Sequence, residues 1–151
     1  MTAISASPAA RAAAPSRAQL HTAAVTVLRV GAGALFMQHG LQKLFGLLGG
    51  FMGTPGATAP IVSQMGLAGV LEFAGGALLV LGLLTRPAAL VVLAEMLYAF
   101  VTVHAPQGGA PVQNGGELAL LYALVFGFFL VNGAGPVSLD AAASSRRERR
   151  D

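Results

Sequence analysis

The chain has 151 residues, of which 55% are hydrophobic and only 10% are charged, and its mean hydropathy is +0.71. Soluble domains carry about 25% charged residues, so this chain has too few charges to cover a surface that faces water. It has no cysteine, which excludes disulfides, cysteine-ligated iron–sulfur clusters and a thiol nucleophile. The net charge of +3 does not indicate a nucleic-acid partner, because four of the nine basic residues lie in the C-terminal tail. The composition indicates an integral membrane protein whose partner is the lipid bilayer.

Residues 1–22 are rich in alanine, serine, proline and arginine and are predicted to form a disordered tail. A spanning helix needs about 17–25 mostly apolar residues, and backbone groups in lipid must all be paired, which favours helices. The sequence therefore predicts an all-α membrane domain over residues 23–140, folded as a four-helix bundle, and a basic tail over residues 141–151. Its four predicted spans cover residues 23–46, 66–84, 87–104 and 117–133.

The distribution of arginine predicts the orientation of these spans. Arg11, Arg17 and Arg29 are assigned to the segment before the first span, Arg86 lies between the second and third, and four arginines follow the fourth. On the opposite side, the only basic residue assigned to the two loops is Lys43. The positive-inside rule then predicts that both termini and the Arg86 loop are cytoplasmic.

The link between the second and third spans is only three residues long, Thr85-Arg86-Pro87. Such a short link predicts that the two helices are antiparallel neighbours. Thr85 is a candidate N-cap, and Pro87 suits the first turn of a helix.

Polar residues within the spans are the main candidates for function. Ionisable groups in lipid are costly and usually face the bundle interior. His39 and Lys43 are four residues apart and share a helix face, and Glu72 lies about 9 Å from the end of its helix that adjoins them. The sequence predicts a polar cluster in the outer half of the bundle, with an inner half that is nearly all hydrocarbon. The candidate binding residues are His39, Lys43, Glu72, Glu95, His104, Asn114 and Glu117, and the first three are the catalytic candidates.

Several interpretations of this cluster remain open. Lys43 and Glu72 could form an ion pair that only fixes helix packing, or they could belong to a binding site. His39 could be a core histidine, a proton carrier or a ligand-binding group. His39 and His104 could also ligate a haem, which is the less favoured interpretation. No metal site is predicted, because His39, Glu72 and Glu117 have no ligand-spacing motif.

Several motifs together resemble the DoxX family of small membrane proteins. The first is Phe36-Met37-Gln38-His39-Gly40, followed by Lys43-Leu44-Phe45-Gly46. The resemblance continues in the same order to residue 140. The remaining motifs are Glu72-Phe73-Ala74-Gly75-Gly76, Gly82-Leu83-Leu84-Thr85-Arg86, His104, Asn114-Gly115-Gly116-Glu117 and Ser138-Leu139-Asp140.

This resemblance implies a four-helix protein of the bacterial cytoplasmic membrane with a role in redox chemistry. Relatives in the family include a subunit of a thiosulfate:quinone oxidoreductase and members of membrane complexes for oxidative and thiol stress. The first hypothesis is therefore a membrane subunit of a redox system. Its polar cluster binds a quinone, with His39 or Lys43 bonding a carbonyl and Glu72 relaying protons, while a partner protein supplies electrons. The alternatives are a non-catalytic anchor or scaffold and, less favoured, a small-solute transporter. Homo-oligomerisation is left open.

Overall fold

The computed structural model describes residues 14–150, and this range is helical and contains no β-strand. The all-α prediction is confirmed. The third helix is extended by a π-helical turn, Phe100–His104, and a 3-10 turn, Ala105–Gln107, and another 3-10 turn covers Phe51–Gly53. In chain order the α-helices are α1 (Arg17–Phe45), α2 (Gln64–Leu81), α3 (Thr85–Ala99), α4 (Pro111–Asn114), α5 (Glu117–Asn132) and α6 (Leu139–Glu148).

Three helical segments, Arg17–Phe45, Gln64–Leu81 and Thr85–Gln107, are long and apolar enough to cross a membrane. The fourth predicted span corresponds to α5, which is apolar but has only 16 residues. At a rise of about 1.5 Å per residue, α5 is shorter than the hydrocarbon core of about 30 Å. The structure thus supports a helical membrane protein with three spans that meet the length criterion and one shorter apolar helix.

Helix α1 begins at Arg17 rather than at residue 23, because a capping box stabilises its first turn. The hydroxyl of Ser16 accepts a hydrogen bond from the Gln19 N–H (3.2 Å), and the Gln19 side chain accepts one from the Ser16 N–H (2.8 Å). The predicted disorder over residues 1–22 is therefore wrong for residues 17–22. Residues 1–13 of that predicted tail lie outside the described residues. Most of the predicted basic tail is the helix α6.

Glycines allow α1 and α2 to pack with their backbones close together. A Cβ atom placed on Gly40 would lie 2.7 Å from the Gly69 carbonyl oxygen, and one on Gly76 would lie 2.6 Å from the Gly33 carbonyl oxygen. The neighbouring Gly75 instead faces α3. Small residues therefore bring both α1 and α3 close to α2, the helix that contains Glu72.

An aromatic cluster fills the space where α1 and α5 meet. The rings of Phe36 and Phe126 have centroids 4.8 Å apart, and the ring of Tyr122 lies 5.1 Å from that of Phe36. Phe36 and Phe126 are almost fully buried. These three rings form an apolar layer next to the polar residues on the neighbouring turns of the helices.

Arg29 lies inside α1 and is only 2% exposed, so the prediction that it precedes the first helix is wrong. The guanidinium donates hydrogen bonds to the carbonyl oxygens of Ala134 (3.0 Å), Val80 (2.8 Å), Val137 (2.7 Å) and Leu79. The last carbonyls of a helix have no partner within the helix, and Arg29 donates to two of them at the end of α2, although Leu79 also accepts from the Gly82 N–H. The expectation of a nearly all-hydrocarbon inner half is also wrong.

Asp140, not Thr85, caps the start of α3. Leu84 precedes the helix in the left-handed conformation (φ 49°), and the N–H groups of Leu84 and Thr85 donate to the Asp140 carboxylate at 2.8 and 2.9 Å. Burial acts to raise the pKa of Asp140, but the hydrogen bonds from Thr85 and Leu84 and the charge of Arg29 together hold that pKa below its ordinary value. The predicted Thr85 cap is wrong because α6 supplies the capping group. The predicted contact between α2 and α3 is present. The predicted link is wrong, because Thr85, Arg86 and Pro87 are the first residues of α3 and residues 82–84 form the link.

Candidate functional site

Lys43 and Glu72 form an ion pair between α1 and α2. The Lys43 Nζ donates to Glu72 Oε1, and the two side chains are only 19% and 5% exposed. The pair is possible because Gly69, one turn before Glu72, leaves room for the lysine stem; a Cβ there would lie 2.9 Å from the Lys43 Cβ. The second oxygen, Glu72 Oε2, is buried and has no hydrogen-bond partner in residues 14–150. The predicted contact is thus present, and it leaves one buried acceptor free.

A cavity of about 320 Å³, here called the His39 cavity, lies beside this pair. The His39 ring meets the Tyr122 ring edge to face, with centroids 6.1 Å apart and an interplanar angle of 89°. Most of the remaining wall is apolar. The polar residues that line the cavity are His39, Lys43, Glu72, His104 and Tyr122.

A second cavity of about 280 Å³, here called the Glu95 cavity, lies between α2 and α3. Both carboxyl oxygens of Glu95 are buried, and neither has a hydrogen-bond partner within the described part of the chain. The two cavities are adjacent, because six residues line both of them. The shared residues are Lys43, Met65, Glu72, Met96, Ala99 and Val103.

His104 is held at the edge of the His39 cavity by Asn114. The Nδ1 atom of His104 lies 3.1 Å from the Asn114 carbonyl oxygen, which can only accept, so Nδ1 carries a proton and donates to it. The Asn114 side chain in turn donates to the Gly108 carbonyl and accepts from the Gly116 N–H, both at 2.8 Å. Asn114 therefore folds the loop that positions His104, and Asn114 lines neither cavity.

Glu117 is exposed in the first turn of α5 and lines neither cavity. Its carboxylate is placed where a negative charge complements a helix N-terminus. The structure does not bring Glu117 into the predicted cluster. Among residues 14–150, no group of three or more His, Cys, Asp or Glu side chains is arranged to hold a metal ion.

Tyr122, Met65 and Met96 are cavity residues that sequence reasoning missed. The sequence candidates in the spans were carboxyl, amine, imidazole and amide side chains, and a phenol or a thioether is none of these. Tyr122 could have been found as the one hydroxyl-bearing residue in the apolar run of α5. Met65 and Met96 have no comparable signal, because methionine is common in any apolar core.

The cavities combine apolar walls with a few convergent polar groups, which is the usual composition of a small-molecule site. Lys43 and Tyr122 offer hydrogen-bond donors, Glu72 Oε2 offers an acceptor, and His39 can do either. The arrangement can therefore hold a small lipophilic molecule that has both polar and apolar parts.

The apolar helices and the buried polar cavities define a helical membrane protein. A family model described as DoxX matches residues 24–105, a range that includes His39, Lys43, Glu72, Glu95 and His104. An uncharacterized protein of Haemophilus influenzae is 40% identical over 116 residues, which cover 75% of this chain and 85% of that relative. No solved structure matches the chain significantly. The chain belongs to the DoxX family.

Proposed function

We propose that this DoxX-family protein is the membrane subunit of a redox system and that it binds a quinone in the His39 cavity. The observation that carries the proposal is the convergence of His39, Lys43, Glu72 and Tyr122 on one apolar cavity of about 320 Å³. Pockets for small molecules usually measure about 300–1,000 Å³, so a single substituted ring fits.

The side chains match the two kinds of group that a quinone presents. A quinone carbonyl accepts a hydrogen bond from Lys43 or His39, and the ring packs against Phe36 and Met96. Reduction to the quinol adds two electrons and two protons to the ring oxygens. Glu72 and His39 relay the protons, and the electrons come from a partner protein, because the chain has no cysteine for thiol chemistry.

We further propose that α5 is a fourth crossing and that both termini are cytoplasmic in a bacterial inner membrane. The contacts of Arg29 support this, since they join α1, the end of α2 and the segment after α5 at one end of the bundle. Arg86 lies at the same end, where its Nη2 donates to the Val131 carbonyl at 3.1 Å, and the arginines of α6 follow. The positive-inside rule then makes this end cytoplasmic.

Equilibrium binding of decylubiquinone to the full-length protein in lipid nanodiscs tests the proposal. Ala119 is buried and lines the His39 cavity only, so Ala119→Phe fills that space without removing a polar group. We expect saturable binding by the wild type and a loss of at least about tenfold in affinity for Ala119→Phe, equivalent to about 1.4 kcal/mol. Leu121→Phe is the matched control, because Leu121 is on the outer face of the same helix.

The alternative functions make a different prediction in this experiment. A membrane anchor or scaffold has no saturable binding of decylubiquinone, with or without a filled cavity. Equal affinity of the wild type and Ala119→Phe would also contradict the proposed site.

A further inference from the structure

The proposed quinone site leaves the Glu95 cavity without a role. In this cavity Lys43 is already paired with Glu72, so Glu95 has no counter-charge of its own. Both of its carboxyl oxygens are buried without a hydrogen-bond donor in the described residues. A charged carboxylate without partners is costly in apolar surroundings, so we expect Glu95 to keep its proton and to act as a hydrogen-bond donor.

The wall of the Glu95 cavity includes exposed residues on the outward faces of α2 and α3. Leu67 of α2 and Tyr98 of α3 line it, and these residues are 58% and 55% exposed. Ala94, on the same face of α3, is also exposed and lines the cavity. The outward face of a membrane-spanning helix contacts acyl chains, so the mouth of this cavity faces lipid.

The wall between the two cavities is thin and adaptable. Apart from the Lys43–Glu72 pair, it consists mainly of Met65, Met96 and the small Ala99. Methionine side chains are unbranched and change rotamer easily, so they can move aside for a passing molecule.

We propose that the Glu95 cavity is the lipid-side entrance to the His39 cavity. A lipophilic ligand enters from the bilayer between α2 and α3, and the Glu95 carboxyl donates a hydrogen bond to its polar group before it passes the Lys43–Glu72 pair. The identity of the ligand as a quinone rests on the proposed function, whereas the route rests on the geometry of the two cavities.

Carbodiimide labelling tests this route directly, because carbodiimides react with protonated carboxyl groups. The full-length protein in phospholipid vesicles is treated with lipid-soluble dicyclohexylcarbodiimide or with a water-soluble carbodiimide, and adducts are located by peptide mass spectrometry. We expect the lipid-soluble reagent to modify Glu95 and the water-soluble reagent to leave it unmodified. Glu95→Gln should lose the adduct. Absence of a Glu95 adduct, or equal labelling by both reagents, would overturn the proposal.

Variants that narrow the mouth supply the second arm of the test. Ala68 lines the Glu95 cavity only, and Ala68→Phe should slow labelling by about fivefold or more, as a steric barrier to entry. Ala94→Phe narrows the mouth of the cavity from the α3 side. It replaces Ala68→Phe in the labelling experiment if that variant fails to fold. Ala74→Phe is the control, since Ala74 is an exposed residue of α2 that lines neither cavity. Unchanged labelling rates in a folded Ala68→Phe or Ala94→Phe protein would contradict the entrance.

Competition separates this inference from the proposed function. Protection of Glu95 by excess decylubiquinone supports both the entrance and the quinone. Labelling of Glu95 from the lipid phase without such protection supports the lateral opening and contradicts the quinone as the ligand.

Discussion

Two cations, the buried Arg29 and the half-buried Lys43, lie on the same helix, but their surroundings differ. Arg29 donates four hydrogen bonds to backbone carbonyls of α2 and of the segment between α5 and α6. Lys43 has one carboxylate partner, and it lies between two cavities. Beside it, the free oxygen of Glu72 and both oxygens of Glu95 lack partners in the described residues.

The difference separates a polar group that holds the fold together from polar groups that are available to a ligand. Satisfied hydrogen bonds to backbone atoms stabilise one arrangement of the helices and leave nothing for a ligand to bind. Unpaired buried atoms next to open space weaken the fold unless a ligand or a proton satisfies them. We therefore assign a structural role to Arg29 and its carbonyl partners. We assign a ligand-binding role to Lys43, Glu72, Glu95 and the two cavities beside them.

The largest expected effect is the loss of Arg29. Hydrogen bonds to a charged group contribute about 1.5–3 kcal/mol each. Arg29→Met should therefore lower the free energy of unfolding by about 3–6 kcal/mol, even if relaxation recovers half of the energy of the four lost hydrogen bonds. The measurement is the free energy of unfolding in detergent micelles. Arg86→Met is the matched control, because Arg86 is exposed and donates to one carbonyl. Equal losses for the two variants would contradict the structural role of Arg29.

Disruption of the Lys43–Glu72 pair should also destabilise the protein. Lys43→Met leaves the buried Glu72 uncompensated, which costs about 3–5 kcal/mol, and Glu72→Gln should cost less because Lys43 is 19% exposed. The double variant should lose much less than the sum of the two, because neither charge then remains unpaired. Additive losses in the same unfolding assay would mean that the two residues act independently.

The Asp140 cap should make the free energy of unfolding depend on pH in the acid range. The pKa of Asp140 lies below its ordinary value, so the stabilisation is complete above about pH 4 and is lost as the pH falls through the lowered pKa. Asp140→Asn should remove this part of the acid sensitivity, and Asp140→Ala should cost about 1 kcal/mol, as for other lost caps. Glu117→Gln is the control, since that carboxylate is exposed in the first turn of α5 and caps no other helix. An acid profile that is identical in Asp140→Asn and wild type would show that the cap contributes nothing.

Replacement of Glu95 should have the smallest effect on stability, in contrast to Glu72. Both oxygens of Glu95 are unpaired, so Glu95→Leu removes two unsatisfied atoms and should leave stability unchanged or raise it by up to about 1 kcal/mol. A loss comparable with that of Glu72→Gln would indicate that Glu95 has a structural partner and is not available to a ligand.

The sequence was sufficient to predict the helices and one key contact. Long apolar runs predict helices in lipid without reference to any other part of the chain. Lys43 and Glu72 could be paired in advance because they lie at similar depths on either side of one loop. Both predictions depend only on length and position along a helix.

The predictions that failed concern contacts between distant segments. Arg29 bonds to backbone carbonyls as far as 108 residues away, and a carbonyl has no signature in the sequence. The cap of Thr85 comes from Asp140, 55 residues further on. The cavities depend on the rotation of each helix about its axis, which decides that Tyr122 faces His39 while Glu117 is exposed. Local patterns do not determine that rotation.

The quinone content of the purified protein tests most directly whether the two cavities beside Lys43 form a ligand site. Ala99 lines both cavities, so Ala99→Phe obstructs the whole site. Wild-type protein and Ala99→Phe are purified from the same host membrane in the same detergent, extracted with solvent, and analysed for quinone per mole of protein. We expect the wild type to retain quinone well above the level in Ala99→Phe. Equal amounts in both proteins, or none in either, would contradict this expectation.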